Sequence, residues 1–145
     1  MKNIVYKKVL EFKRKYSKTI AFRIKKHCSV IAEYLNPDEE VLYAFCGQKN
    51  AKHSEIFFSS VIVLTNKRIL IGQKRVLWGH FYTTITPDLF NDLSISSGLI
   101  WGRVTIDTAK EVVVISNVDK MALDEIETAI SSYMLEEKKK YIKNN

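Results

Sequence analysis

The chain is poor in everything that would carry it through or across a membrane. Apolar runs such as Val61-Ile62-Val63-Leu64 are short, far below the roughly 20 consecutive apolar residues that span a bilayer. Its opening segment, MKNIVYKKVLEFKRKY, is charged throughout and lacks the apolar core, about 7–15 residues long, of a secretory signal. A cytoplasmic location is expected. Cysteine occurs twice, at Cys28 and Cys46, with no C-x-x-C pair. Without export, that predicts two reduced, buried thiols and not a disulfide. Three histidines, His27, His53 and His80, show neither H-x3-H nor H-E-x-x-H spacing, and no G-x-S-x-G element occurs. These absences remove the local patterns of a metal centre, a zinc peptidase and a nucleophile elbow. The expected sets of catalytic residues, metal ligands and cofactors are empty, and an enzyme ranks lowest among the function classes.

What the chain does have fits one core with an appended element. It has 145 residues, 46% apolar and 27% charged, a balance typical of a folded soluble domain. The net charge of +7 is unevenly placed. Residues 1–36 carry ten Lys or Arg against Glu11 and Glu33, a local balance of +8, and the other 109 residues sum to −1. Attraction to phosphate or anionic lipid is to be sought first in that N-terminal segment.

Between Ile4 and Leu35 there is no Pro or Gly, and Val5, Val9, Phe12, Tyr16, Ile20, Ile24, His27, Ile31 and Tyr34 recur every three or four residues. This spacing predicts a long amphipathic helix with Lys7, Lys8, Arg14, Lys15, Lys18, Lys25 and Lys26 on the opposite face. Lys13 and Arg23 intrude on the apolar stripe. Asn36-Pro37-Asp38 should end the helix, since proline pushes the residue before it out of helical geometry. A boundary follows, with residues 1–36 as a basic helix and 37–145 as the main domain. From Glu40 the pattern turns to short β-branched and aromatic runs. Strands are expected at about 41–47, 55–64, 68–73, 76–82, 91–96, 99–107 and 111–116. Their connections are too short for anything but antiparallel hairpins. Met121, Leu123, Ile126, Ala129, Ile130, Tyr133 and Met134 then form a closing helical stripe that Asn117 or Asp119 can cap.

Three stretches carry a resemblance: VIVLTNKRILIGQK, DLFNDLSISSGLIWGRVTI and EVVVISNV followed by a helix. They resemble the bacterial pleckstrin-homology-like (PH-like) domains of the YokE-like group, in which a T-[DN]-K-R-[IL] hairpin and a G-[LI]-x-[FW]-G-x-[ILV]-T-I strand recur. Thr65 to Ile69 match the first motif; Gly98, Leu99, Trp101, Gly102, Val104, Thr105 and Ile106 match the second. The likeness covers about residues 38–136. It departs at Phe90-Asn91-Asp92-Leu93, where the acid sits one place along and the strand register is open. The resemblance implies an α+β, mainly β fold: a seven-stranded antiparallel PH-like barrel or sandwich, capped by a C-terminal helix and preceded here by the N-terminal helix. It also implies a binding or assembly module without catalytic machinery. The phosphoinositide motif of eukaryotic PH domains does not carry over, because CGQKNAKHSE supplies Lys49, Lys52 and His53 without a following Lys-x-Arg.

Ordinary explanations compete with each candidate site. Asn66-Lys67 is where a hairpin needs turn chemistry, so Lys67, Arg68, Lys74 and Arg75 read first as solvated corner charges. Lys49, Lys52, Lys67 and Arg68 remain secondary anion-binding candidates. Gly98 and Gly102 read as a turn and a bulge or tight bend, not as a phosphate cradle, since they lead into a strand. The basic helix is the leading surface. Its stripe suits packing on the barrel or on another copy of the chain, giving a scaffold or homo-oligomer. An alternative is peripheral binding to the inner membrane face, with Phe12, Tyr16 and Ile20 dipping between anionic lipids. Non-specific nucleic-acid binding ranks below both, because the aromatics occupy core-type positions and form no stacking platform.

Overall fold

The computed structural model describes residues 2–49, 59–76 and 78–143. Two helices, α1 (Lys2–Lys15) and α2 (Ile24–Tyr34), precede β1 (Val41–Lys49), β2 (Ser59–Thr65), β3 (Ile69–Lys74), β4 (His80–Ile85), β5 (Phe90–Ser97), β6 (Trp101–Thr108) and β7 (Val112–Asp119). A 3-10 turn, Lys120–Ala122, leads into α3 (Leu123–Lys143). The strands form one antiparallel sheet in the order β4-β3-β2-β1-β7-β6-β5. β1 pairs with β2 from Val41 to Gln48, but with β7 only at Gln48 and Lys49. The first four strands and the last three are thus two halves of a curled sheet joined along a short seam. α3 packs on β5, β6 and β1 and buries Leu123, Ile126, Ile130 and Met134. This is the mainly β architecture with a C-terminal helix that the motifs implied.

The N-terminal segment departs from a single helix. From Ile4 to Leu35 a continuous helix would run about 48 Å, whereas nine-residue β1 spans about 30 Å. The chain folds back instead, and residues 16–23 lie across the strands. Ile20 N–H donates to the Asn117 carbonyl at 2.9 Å, and Phe22 N–H donates to Ser59 Oγ at 2.9 Å. Gln48 Nε2 donates to the Ile20 carbonyl at 3.0 Å, and Asp119 N–H donates to Thr19 Oγ1 at 2.9 Å. The sheet therefore supplies partners that a longer helix would have found within itself. Arg23, at φ 56°, makes the left-handed turn into α2.

α1 lies on β1, and α2 lies on β2 and β3. Val5, Val9, Phe12 and Tyr16 of the apolar stripe are buried there, as are His27, Cys28 and Ile31. β2 is buried at every position and β3 at all but its last. Such strands are covered on both faces, by the barrel core within and by the N-terminal helices outside.

Strand bounds around the hairpins differ from those expected, with consequences for the surface. Of the expected strand 55–64, residues 55–58 lie outside the described residues. Arg75 N–H donates to the Gly79 carbonyl at 3.1 Å and closes the connection between β3 and β4. Val76 and Trp78 therefore stand on a hairpin tip and not in the expected strand 76–82. Between β5 and β6, Phe90 pairs with Thr108 and Asp92 with Asp107. Asn91 is the extra residue of a bulge, which accounts for the displaced acid. A second bulge falls between Gly102 and Val104. A Cβ on Gly102 would run into the Leu123 side chain, so close approach of α3 requires glycine here. Asp119 accepts from Met121 N–H at 3.0 Å and caps the 3-10 turn, leaving Met121 exposed and outside the apolar stripe of α3.

Candidate interaction surface

The Thr-Asn-Lys-Arg hairpin is held from inside. Thr65 Oγ1 accepts from the backbone N–H groups of Lys67 and Arg68, both at 3.1 Å, and donates to Glu39 Oε2 at 2.6 Å. Asn66 Oδ1 accepts from Glu40 N–H at 2.9 Å, tying the turn to the start of β1. Arg68 grips Glu39 with two donors: Nε to Oε2 at 3.1 Å and Nη2 to Oε1 at 2.8 Å. The same guanidinium donates to the Tyr34 carbonyl at 2.8 Å and to Tyr82 Oη at 2.9 Å. The rings of Tyr34 and Tyr82 stack at 3.7 Å, 6° from parallel. The Glu39 side chain is fully buried and that of Arg68 is 17% exposed. Burial alone would raise the Glu39 pKa, but Arg68, Thr65 and Asn36 N–H outweigh it and hold the carboxyl below its usual range. Arg68 is thus an internal ion-pair partner and not a solvated corner charge. Lys67 is exposed and paired with Asp38.

The other expected cations are dispersed. Lys7, Arg14 and Lys15 are exposed on α1, Lys8 is half-buried, and Lys15 pairs with Glu125 at 2.7 Å. Lys18 belongs to the segment between the helices; Lys25 and Lys26 are exposed on the first turn of α2. The break after α1 separates these groups, so the expected seven do not share one helical face. Lys49 Nζ lies 4.1 Å from the centre of the Phe81 ring, and burial lowers its pKa. Lys52 and His53 lie outside the described residues.

A different surface assembles around residues 16–23. On the β3–β4 tip Val76 and Trp78 are exposed; on the β5–β6 tip Leu99, Ile100 and Trp101 are exposed, with Met121 alongside. Exposure reaches 88% at Leu99, 77% at Trp78 and 71% at Met121, too high for side chains serving a core. Trp101 Nε1 donates to the Lys18 carbonyl at 2.7 Å, and Arg23 Nη1 donates to the Lys74 carbonyl at 3.3 Å. One short segment therefore touches both tips, and between its contacts stands exposed Phe22. Lys18, Arg23, Lys25, Lys26, Lys74, Arg75 and Lys120 border this rim. Of the acids there, Asp119 is buried as a cap, and Asp124 is exposed. Acids gather instead at the opposite strand ends, with Asp38, Glu39 and Glu40 before β1 and Asp88, Asp92, Asp107 and Glu111 around the far ends of β4 to β7.

Sequence reasoning missed the rim because Val76, Trp78, Leu99 and Ile100 are all β-formers. The signal available was that each tryptophan of the chain directly precedes a glycine, in Trp78-Gly79 and Trp101-Gly102.

The buried titratable groups serve the fold. His27 Nδ1 accepts from Lys74 N–H at 2.8 Å. Burial, reinforced by the Arg23 charge, lowers the His27 pKa to about 4. Cys28 and Cys46 are free and buried, and burial pushes both thiols up to about 12. Among the described residues no three His, Cys, Asp or Glu side chains are grouped as a metal site would need. No described helix is long and apolar enough to cross a membrane.

A search of curated proteins returns no match. The family model described as bacterial PH domain matches residues 35–132. That span runs from the end of α2 through the whole sheet into α3, more than half of the chain, and the protein belongs to the bacterial PH domain family.

Proposed function

We propose that the protein is a non-catalytic interaction module that docks through the rim formed by the β3–β4 tip, residues 16–23 and the β5–β6 tip. PH-like domains serve as interaction modules, and the fold gives this one a rigid sheet on which short hairpins are displayed. The observation that carries the reading is the shared exposure of Trp78, Leu99 and Met121 on one cation-bordered edge. Apolar side chains gathered on a surface in this way mark a contact site. Docking through the apolar stripe of the N-terminal helices is disfavoured, because Val5, Val9, Phe12 and Tyr16 are already covered by the sheet. A second copy of the chain, another protein and a lipid surface are the occupants the rim can take.

Site-specific photo-crosslinking in cells tests the docking reading. A photoreactive residue at position 78 or 99 should give adducts, while one at position 92 or 107, at the far end of the strands, should give none. Equal labelling at all four positions, or none at any, would contradict it.

A further inference from the structure

We infer that the β5–β6 tip anchors the protein to an anionic lipid bilayer, an inference that rests on the docking reading and names its partner. Leu99 stands at the outermost point of a tight hairpin and is almost wholly exposed, with Ile100, Trp101 and Met121 behind it. A convex tip of this kind needs no complementary pocket in a soft, apolar medium, whereas a protein partner must supply one.

The tip is also prepared to leave water. Gly98 N–H donates to the Trp101 carbonyl at 2.8 Å, and Lys120 N–H donates to the Ile100 carbonyl at 3.2 Å. The indole N–H of Trp101 is already taken by the Lys18 carbonyl. Two backbone bonds and the indole N–H are therefore already satisfied before the hairpin enters the headgroup region, which lowers the penalty for polar groups at that depth. Trp101 sits at the base of the tip, where an indole prefers the boundary between headgroups and acyl chains.

Charge selects the kind of bilayer. Lys18 and Lys120 flank the tip, and exposed Arg103 follows Trp101 on the same face of β6. Of the acids there, Asp119 is turned inward onto backbone N–H groups, and exposed Asp124, near Met121, offsets one of the three cations. Each such cation strengthens binding to an anionic surface roughly fivefold.

The full-length protein with Trp78→Phe carries Trp101 as its one indole, and vesicles are the probe. On vesicles of phosphatidylglycerol and phosphatidylcholine, Trp101 emission should move to shorter wavelength and be quenched by lipids brominated on the acyl chain. Vesicles of phosphatidylcholine alone should bind much more weakly, and added salt should weaken binding to the anionic ones. Leu99→Ser and Met121→Ser should each lower partitioning on the order of tenfold, with thermal midpoints unchanged because both side chains are exposed. Absence of anionic-vesicle binding, an unquenched Trp101, or partitioning indifferent to both substitutions would overturn the lipid assignment. If position 99 crosslinks a protein in cells while vesicles stay unbound, the lipid assignment falls and the docking reading survives. If neither position 78 nor position 99 crosslinks anything and vesicles stay unbound, both fall.

Discussion

Glu39→Gln is the sharpest perturbation of the fold. The native carboxylate is fully buried and accepts from Arg68 Nε and Nη2, Thr65 Oγ1 and Asn36 N–H, all between 2.6 and 3.1 Å. The amide keeps the shape but removes the charge opposite a guanidinium that is only 17% exposed. Breaking a buried pair by removing one partner costs about 3–5 kcal/mol; the partial exposure of Arg68 brings the expectation to roughly 2–4 kcal/mol. For a chain of this length that corresponds to a thermal midpoint lower by roughly 7–13 °C. Scanning calorimetry at pH 7 measures it, with Asp38→Asn as the reference. Asp38 pairs with Lys67 in the open, so that substitution should leave the midpoint where it was. The pH dependence has a definite sign. The Glu39 carboxyl titrates lower in the folded chain than in the unfolded one, so its contribution is complete above the usual glutamate pKa and is lost as pH falls through the lowered value. The wild-type and Glu39→Gln midpoints should therefore converge in acid. Equal midpoints at pH 7 would refute the view that Arg68 is a structural residue.

Three further outcomes follow from the same packing. His27 stays neutral in the fold until about pH 4, whereas the unfolded chain takes up the proton near pH 6.5. Stability should fall by at most about 2 kcal/mol between pH 7 and pH 5, and urea titrations of His27→Gln, which keeps an acceptor for Lys74 N–H, should show a flatter slope; an unchanged slope would refute the assignment. Gly102→Ala places a methyl group against Leu123 and should cost about 1–3 kcal/mol. Adding Leu123→Ala should recover part of that loss, and strictly additive losses would count against the contact. Cys28 and Cys46, with thiols held near 12, should resist a thiol reagent at pH 8 in the folded protein and react together on unfolding; fast labelling of either in native buffer would contradict their burial.

What could be read in the sequence was what is local. Thr65-Asn66-Lys67-Arg68 announces its hairpin because turn chemistry is decided within four residues, and Gly98 marks a turn for the same reason, whereas Gly102 answers to Leu123 of α3. The break after Lys15 was hidden, because it depends on the width of the sheet and on Asn117 and Asp119, some hundred residues away. A clean helical period continues straight through residues 16–23 and overrides nothing by itself. Arg68 looked like a corner charge because its partner, Glu39, stands 29 positions earlier, across a strand pair that periodicity does not reveal. The rim was the least legible feature. A tryptophan in a β-forming run carries no local sign of whether it faces a core or water, and only the three-dimensional placement of the two hairpin tips shows that Trp78 and Leu99 face outward.

The N-terminal basic segment and the β5–β6 tip make opposite claims on the same binding event, and vesicle flotation separates them. Wild-type protein, Lys7→Gln/Lys8→Gln/Arg14→Gln and Leu99→Ser/Met121→Ser are floated with phosphatidylglycerol-containing vesicles at low salt. The structure-based account predicts that the charge-neutralised α1 variant keeps most of its binding while the tip variant stays with unbound protein at the bottom of the gradient. Loss of binding in the α1 variant, with the tip variant floating like wild type, would contradict it.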